Sequence, residues 1–185
     1  MKRRLFIAIN LPENVKKKLI EYKYNYSQLD SKSIRWVGWS NLHITLLFIG
    51  YVTGDEMYEI CNLVKEIGKK HEPFLIKFEK IIFGPPNKTP RMFWAEGEKS
   101  QALADLQGDL NDAIQQRTGC KYKAFRPHIT LAKFPASTLK SLPEEINEPF
   151  KFEIPVETIE VMESSLKRTG AEYSILESVN LGEDL

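Results

Sequence analysis

The chain has 185 residues, 42% of them hydrophobic and 28% charged, with 26 basic against 25 acidic side chains and a formal charge of +1. That profile belongs to one globular domain, or two small lobes, with a sizeable core; the near-neutral balance neither demands nor forbids a nucleic-acid partner, because a local basic patch fits inside it. Two cysteines, Cys61 and Cys120, exclude a disulfide framework and lack metal-ligand spacing, and no apolar stretch approaches the length of a bilayer span. The expected compartment is therefore the cytoplasm, and the expected state a monomer.

The start, MKRRLFIAINLPENV, places only five apolar residues between its basic residues and Asn10, with no small-residue cleavage site, so it reads as a first strand rather than a signal peptide. Asn10 is placed to cap the next helix, and Pro12 suits its first turn. That helix is expected to reach about Tyr26, and polar residues 27–33 lead to a short strand or turn over 34–37. From His43 to Ile49 the chain alternates, with His43, Thr45 and Leu47 on one predicted face and Ile44, Leu46 and Phe48 on the other; Gly50 lies near the end. Thr53 with Glu56 is a capping box, opening an amphipathic helix over 54–70 through Met57, Ile60, Val64 and Ile67. Strands are predicted over 74–83 and 91–95, with a turn at Gly84-Pro85-Pro86-Asn87 between them. Leu103, Leu106, Leu110 and Ile114 mark one face of a helix over 99–117 that Gly119 ends. His128 to Phe134 alternates like the earlier strand, with His128, Thr130 and Ala132 facing one way and Ile129 and Leu131 the other, and Pro135 stops it. Residues 136–149 read as loop, and 152–161 and 173–179 as strands connected through the polar hairpin Lys167-Arg168-Thr169-Gly170.

His-Ile-Thr-Leu occurs twice, at 43–46 and 128–131, and holds two of the three histidines. The repetition is larger than the tetrapeptide. LFIAI, a helix and HITLLFI in the first half answer to MFWAE, a helix and HITLAKF in the second, with Leu5 set against Met92. This predicts a single bilobal domain over 1–185 with an internal duplication, in approximate units 3–84 and 90–179. Two such units about a pseudo-twofold axis can bring His43 and His128 across one cleft, each with a threonine two places on pointing the same way.

Paired histidines suit in-line displacement at phosphorus. One ring takes the proton of the attacking group, the other protonates the departing oxygen, and the threonine hydroxyls serve the phosphoryl oxygens. A histidine in an apolar strand is commonly a core residue satisfied by a neighbour, but that gives no reason for His and Thr to recur together. Without Asp, Glu or Cys at ligand spacing the pair makes a poor zinc site, so no metal is expected. His71, at a helix end, is expected to face solvent, with at most a favourable charge at the helix C-terminus.

The motifs RLFIAINLPENV, NLHITLLFIG, the stretch from Phe74 to Pro85, RMFWAE, RPHITLAKF and ESSLKRTGAEYSIL cover nearly the whole chain. On them the sequence resembles the RNA 2',3'-cyclic phosphodiesterases (the 2'-5' RNA ligase family) of the two-histidine phosphoesterase superfamily. The resemblance implies an α+β bilobal fold, in which each lobe has an antiparallel sheet with outer helices and the active cleft lies between. It implies a hydrolase acting on RNA ends that carry a 2',3'-cyclic phosphate to give 2'-phosphomonoesters, with weak reverse 2'-5' ligation and no cofactor; which RNA supplies the end is left open, with tRNA fragments one candidate. Carried over, His43 is the general acid toward the 3'-oxygen, His128 the general base toward water, and Thr45 and Thr130 hold the phosphate oxygens. The same motifs leave open a phosphodiesterase for small cyclic nucleotides or ADP-ribose cyclic phosphate, and a non-catalytic RNA-end binder.

Lys133 stands where close relatives often have arginine; its charge serves a phosphate, but without the bidentate fork. Arg126 and Arg91 are candidate phosphate contacts, with plain solvation the alternative. Among the aromatics Trp36, Phe48, Trp94, Phe125 and Tyr173, the candidates for a base-stacking surface, Tyr173 and Phe48 are chosen as substrate-binding. Lys167 and Arg168 at the hairpin tip are either an outer RNA grip or a solvated turn.

Overall fold

The computed structural model describes residues 2–25, 33–119, 125–168 and 170–182. Among these, nine strands form one sheet: β1 (Arg3–Asn10), β2 (Arg35–Trp36), β3 (His43–Val52), β4 (Phe74–Gly84), β5 (Met92–Gly97), β6 (His128–Lys133), β7 (Asn147–Val156), β8 (Thr158–Lys167) and β9 (Gly170–Asn180). The spatial order is β7-β4-β5-β6-β3-β1-β8-β9, with β2 on β6, and every pairing is antiparallel. Two four-stranded halves, β7-β4-β5-β6 and β3-β1-β8-β9, therefore meet at β6 and β3. A single residue pair, Ile44 with Ile129, joins them.

Three helices complete the fold: α1 (Glu13–Asn25), α2 (Gly54–Gly68) and α3 (Gln101–Thr118). The periodic residues of α2 and α3 do what their spacing predicts: Ile60, Val64, Ile67, Leu103, Leu106, Leu110 and Ile114 are buried in one large cluster with Ile7, Ile44, Phe93 and Ile129 of the strands. The expected capping box starts α2, with Thr53 Oγ1 accepting from Glu56 N and Glu56 Oε2 accepting from Thr53 N. Gly119, at φ 66°, ends α3. Helix α1 follows a strand of the first half yet docks on β7 of the second. The Tyr22 hydroxyl donates to Glu148, its ring meets Phe150 edge-on at 6.2 Å, and the Lys18 ammonium lies 4.9 Å above the Phe152 ring.

Several expectations change. Asn10 does not cap α1: its Oδ1 accepts from Leu11 N, and the Pro12 carbonyl receives Val15 N and Lys16 N. The end expected at Tyr26 lies outside the described residues, as do Cys120, Lys123 and Thr169. The strand expected over 152–161 is two strands broken at Glu157, β7 pairing with β4 and β8 with β1, so the chain changes halves there. Pro149 and Pro155 sit on β7, the edge strand, where a missing N–H costs least. His71 does not face solvent; its side chain is 13% exposed and its Nε2 is 2.9 Å from Asp109 Oδ2 of α3.

The alternation expected in the motif strands also fails, at the same place in each. Across β1 and β3, Ala8 pairs with Thr45 but Ile7 with Leu47, which leaves Leu46 over; across β5 and β6, Trp94 pairs with Thr130 but Phe93 with Ala132, which leaves Leu131 over. These are β-bulges, and one extra residue moves everything beyond it to the other face. Leu47 and Ala132 turn into the core, and Phe48 and Lys133 turn out to join His43, Thr45, His128 and Thr130. The pairings also set Phe6 against Met92, not Leu5, so Ala8 corresponds to Trp94 and Asn10 to Glu96.

Ile44 and Ile129 are both 0% exposed at the seam. Ile129→Ala should lower the unfolding free energy by about 2–5 kcal/mol in urea denaturation. Leu166→Ala, on the 89% exposed Leu166, should change it by less than about 0.5 kcal/mol. Equal effects would mean that the seam is not the buried joint described.

Candidate active site

Because Ile44 pairs with Ile129 in antiparallel register, Thr45 stands across from His128 and His43 across from Thr130. All four are half-buried on the face opposite the helices. Each histidine is tied in the same way. His43 Nδ1 donates to the Asn41 carbonyl at 2.7 Å, and His128 Nδ1 to the Arg126 carbonyl at 2.8 Å. A carbonyl only accepts, so in both rings Nδ1 carries the proton when neutral and Nε2 is left as the working nitrogen. The accepting carbonyls stand two residues before each histidine, a match already visible in NLH and RPH.

The surroundings then diverge. His43 Nε2 takes a hydrogen bond from the Thr45 hydroxyl at 2.9 Å, whereas Thr130 Oγ1 is 4.0 Å from Met92 Sδ. His43 sits among rings at wider spacing, with Phe6 at 5.2 Å and Tyr173 edge-on at 5.1 Å; His128 lies nearly flat on Trp94, centroids 3.8 Å apart and planes 23° from parallel. Phe6 also meets Tyr173 at 5.1 Å and Phe48 at 6.2 Å. Phe48 is 53% exposed and extends this aromatic wall beside His43.

The expected basic residues separate into two kinds. Lys133 is exposed on the histidine face, and Arg35, which sequence reasoning passed over, is its cross-strand partner on β2. Arg91 is exposed immediately before β5; its N–H donates to the Gly84 carbonyl and its carbonyl accepts from Phe134 N. The Arg126 guanidinium is instead engaged by Glu96, with Nε donating to Oε1 at 2.5 Å, and Lys80 flanks the same carboxylate at 3.7 Å. Glu96 is the cross-strand partner of His128. Lys167 at the hairpin pairs with Glu172. Trp94 is 6% exposed with its ring stacked on His128, which leaves little of it for a base, and Trp36 is half-buried with one face stacked on Phe93. Phe125 packs against the main core.

Burial is the chief cause that holds both histidines below the ordinary value of 6.5, and the carbonyls on Nδ1 oppose it. Lys133 pushes both rings further down; His128 adds to this at His43, Arg126 adds to it at His128, and Glu96 pulls His128 back up. Lys133 shares the exposed face of the sheet with both rings. Glu160, 3% exposed, steadies the neighbouring end of β1, accepting from Asn10 N at 3.0 Å and from the Thr158 hydroxyl at 2.7 Å. Among the described residues no group of three or more His, Cys, Asp or Glu is arranged to hold a metal ion, and no helix is long and apolar enough to cross a membrane.

The model of the 2'-5' RNA ligase superfamily matches residues 21–168. The chain belongs to the 2'-5' RNA ligase superfamily. Within it, the chain is 30% identical to the RNA 2',3'-cyclic phosphodiesterase of Thermus thermophilus over 96% of this chain and 90% of that one. It is 27% identical to the enzyme of the same name from Methanocaldococcus jannaschii over 94% and 98%. A solved structure from Thermus thermophilus superimposes with a TM-score of 0.84 at 28% identity, covering 98% of this chain and all of that one. E. coli LigT complexed with 3'-AMP shares the fold, with a TM-score of 0.81 at 24% identity and coverage of 99% and 100%. The expected family, α+β fold and hydrolase class agree with these superfamily relatives.

Replacing Lys133 by Met should raise the titration midpoints of both His43 and His128, since its charge opposes protonation of each. NMR titration of the histidine side chains reads this directly. A shift confined to one ring would mean that Lys133 does not face both.

Proposed function

We propose that the protein hydrolyses RNA ends carrying a 2',3'-cyclic phosphate to 2'-phosphomonoesters. The observation that supports this most is the placement of two tied imidazoles, each with Nε2 free of its backbone bond, at one seam beside two threonines and Lys133. The curated relatives named RNA 2',3'-cyclic phosphodiesterase support the substrate.

In the proposed reaction, neutral His128 takes a proton from water through Nε2 as the water oxygen bonds to phosphorus. The bond from phosphorus to the 3'-oxygen breaks in line, and His43, protonated, gives that oxygen its Nε2 proton. His128 ends protonated and His43 neutral, and solvent exchange restores the pair. The thermodynamic strain of a five-membered cyclic phosphate is relieved, so positioning with acid–base help suffices. Thr45 and Thr130 donate to the non-bridging oxygens, and Lys133 neutralises charge there. Weak 2'-5' ligation is the same displacement with an RNA 5'-hydroxyl in place of water. No metal or cofactor takes part. Arg35 and Arg91 beside Lys133 serve the phosphates of the RNA chain, and Phe48 and Tyr173 the terminal base. Matching bulges at Leu46 and Leu131 support an internal duplication of β1 to β3 and β5 to β6, within the expected units near 3–84 and 90–179, while β4 pairs into the second half of the sheet and β8 and β9 into the first.

Oligonucleotides ending in 2',3'-cyclic, 2'- or 3'-phosphate, incubated without added metal, test this. Wild type should convert only the cyclic end, to the 2'-phosphate, and His43→Ala and His128→Ala should each lose about 10²–10⁴-fold in rate. A cyclic end left intact by wild type would sink the assignment. Because both rings are held below 6.5, the singly protonated pair is most abundant on the acid side of that value, so kcat/KM should peak below pH 6.5. It falls at higher pH as His43 loses its proton, and at lower pH as His128 gains one. A rate that climbs steadily through neutrality would contradict the paired mechanism.

A further inference from the structure

Trp94 occupies the position that Ala8 holds in the other half, directly across from Thr130 where Ala8 is across from Thr45. The strands around the two histidines match, but an indole stands at this position beside His128 and only a methyl group at the equivalent position in the other half. The indole is 6% exposed, lies 3.8 Å from the His128 ring at 23°, and its Nε1 donates to Met92 Sδ at 3.4 Å. Its place depends on a glycine on the neighbouring strand. A β-carbon at Gly84 would fall 2.2 Å from Trp94 Cδ2 and 2.5 Å from Cε2, so any side chain there evicts the indole. Gly84 and Met92 are themselves cross-strand partners, which locks the three residues into one patch.

We infer that Trp94 is a positioning residue for His128: its face fixes the plane of the imidazole, and Gly84 is glycine to admit it. The inference rests on the phosphodiesterase reading for its kinetic consequence, but not for its geometry. His128 is tied by the bond from Nδ1 to the Arg126 carbonyl, and a single bond leaves a ring free to rock about it. The indole removes that freedom, so Nε2 keeps its aim at the attacking water. His43 has a different setting, with the Phe6 ring tilted at 5.2 Å and Tyr173 edge-on at 5.1 Å, neither lying flat on it. The indole face also tolerates the imidazolium that forms when His128 takes its proton. The charged groups set around that ring are Glu96, with Lys80 on it, from the sheet; Arg126 from the preceding segment; Lys133 from its own strand; and His43 across the seam.

Two arms test this. Trp94 emission should be quenched as pH falls and the stacked ring becomes charged. The quenching should vanish in His128→Ala, persist in His43→Ala, and be absent from Trp94→Phe, which keeps the background of Trp36 and Trp39. On a cyclic-phosphate oligonucleotide, Trp94→Leu should lose about 10²-fold in kcat with KM little changed, the cost of a reactive group misplaced by about 1 Å. Gly84→Ala should show the same kinetic loss with the tryptophan still present, and Trp94→Phe should recover most of it. Thermal unfolding is followed for each variant, and the Trp94→Phe recovery separates aim from folding. Wild-type kcat in Trp94→Leu, or quenching that survives in His128→Ala, would overturn the inference. If wild type leaves cyclic ends intact, the assigned reaction fails instead, and the emission arm alone decides the stack.

Discussion

The contact between Ile44 and Ile129 is the constraint on which the rest of the site depends. Each half of the sheet is a four-stranded antiparallel unit, and within the sheet a single paired position joins them. That pair is wholly buried on the helix side, so the residues on either side of it are forced to the opposite face. These are His43, Thr45, His128 and Thr130. The candidate site is thus carried on strands rather than on loops. Its precision comes from apolar packing beneath it, the part of a protein least free to move.

Pseudo-symmetry builds the pair, and departures from it give the two rings separate surroundings. The shared features are backbone features: the bulge after the threonine, the carbonyl two residues before the histidine, and the antiparallel register. The differences are side chains at equivalent positions. Phe48 answers to Lys133, Ala8 to Trp94 and Asn10 to Glu96, so charge and an indole stand beside His128 where Phe6, Phe48 and Tyr173 stand beside His43. The Glu96 carboxylate across from His128 favours its charged form, against the burial and the Arg126 charge that disfavour it. Two identical sites would favour sharing one proton equally, whereas these substitutions give the two rings unequal surroundings, which the proposed division into acid and base requires.

Much of this was legible in the chain. The repeated HITL, the capping box at Thr53 and the periodicity of α2 and α3 stood in the sequence, because short-range rules govern them. The faces of the motif strands did not, because strict alternation was carried through Leu46-Leu47 and Leu131-Ala132. Two adjacent apolar residues were the available sign of a bulge. The one-residue offset between Phe6 and Met92 was hidden because LFIAI and MFWAE align better as letters than as faces. The ion pair of Arg126 with Glu96 joins residues 30 apart in sequence, and the docking of α1 on β7 joins residues more than a hundred apart; no local pattern announces either.

The central claim is that both histidines move protons and neither bonds to phosphorus. The stereochemical course at phosphorus tests it most directly. A chiral 2',3'-cyclic phosphorothioate opened in isotopically labelled water should give a 2'-product of inverted configuration, the outcome of one in-line displacement. Retention would mean two displacements through a phosphorylated side chain, and would contradict the account.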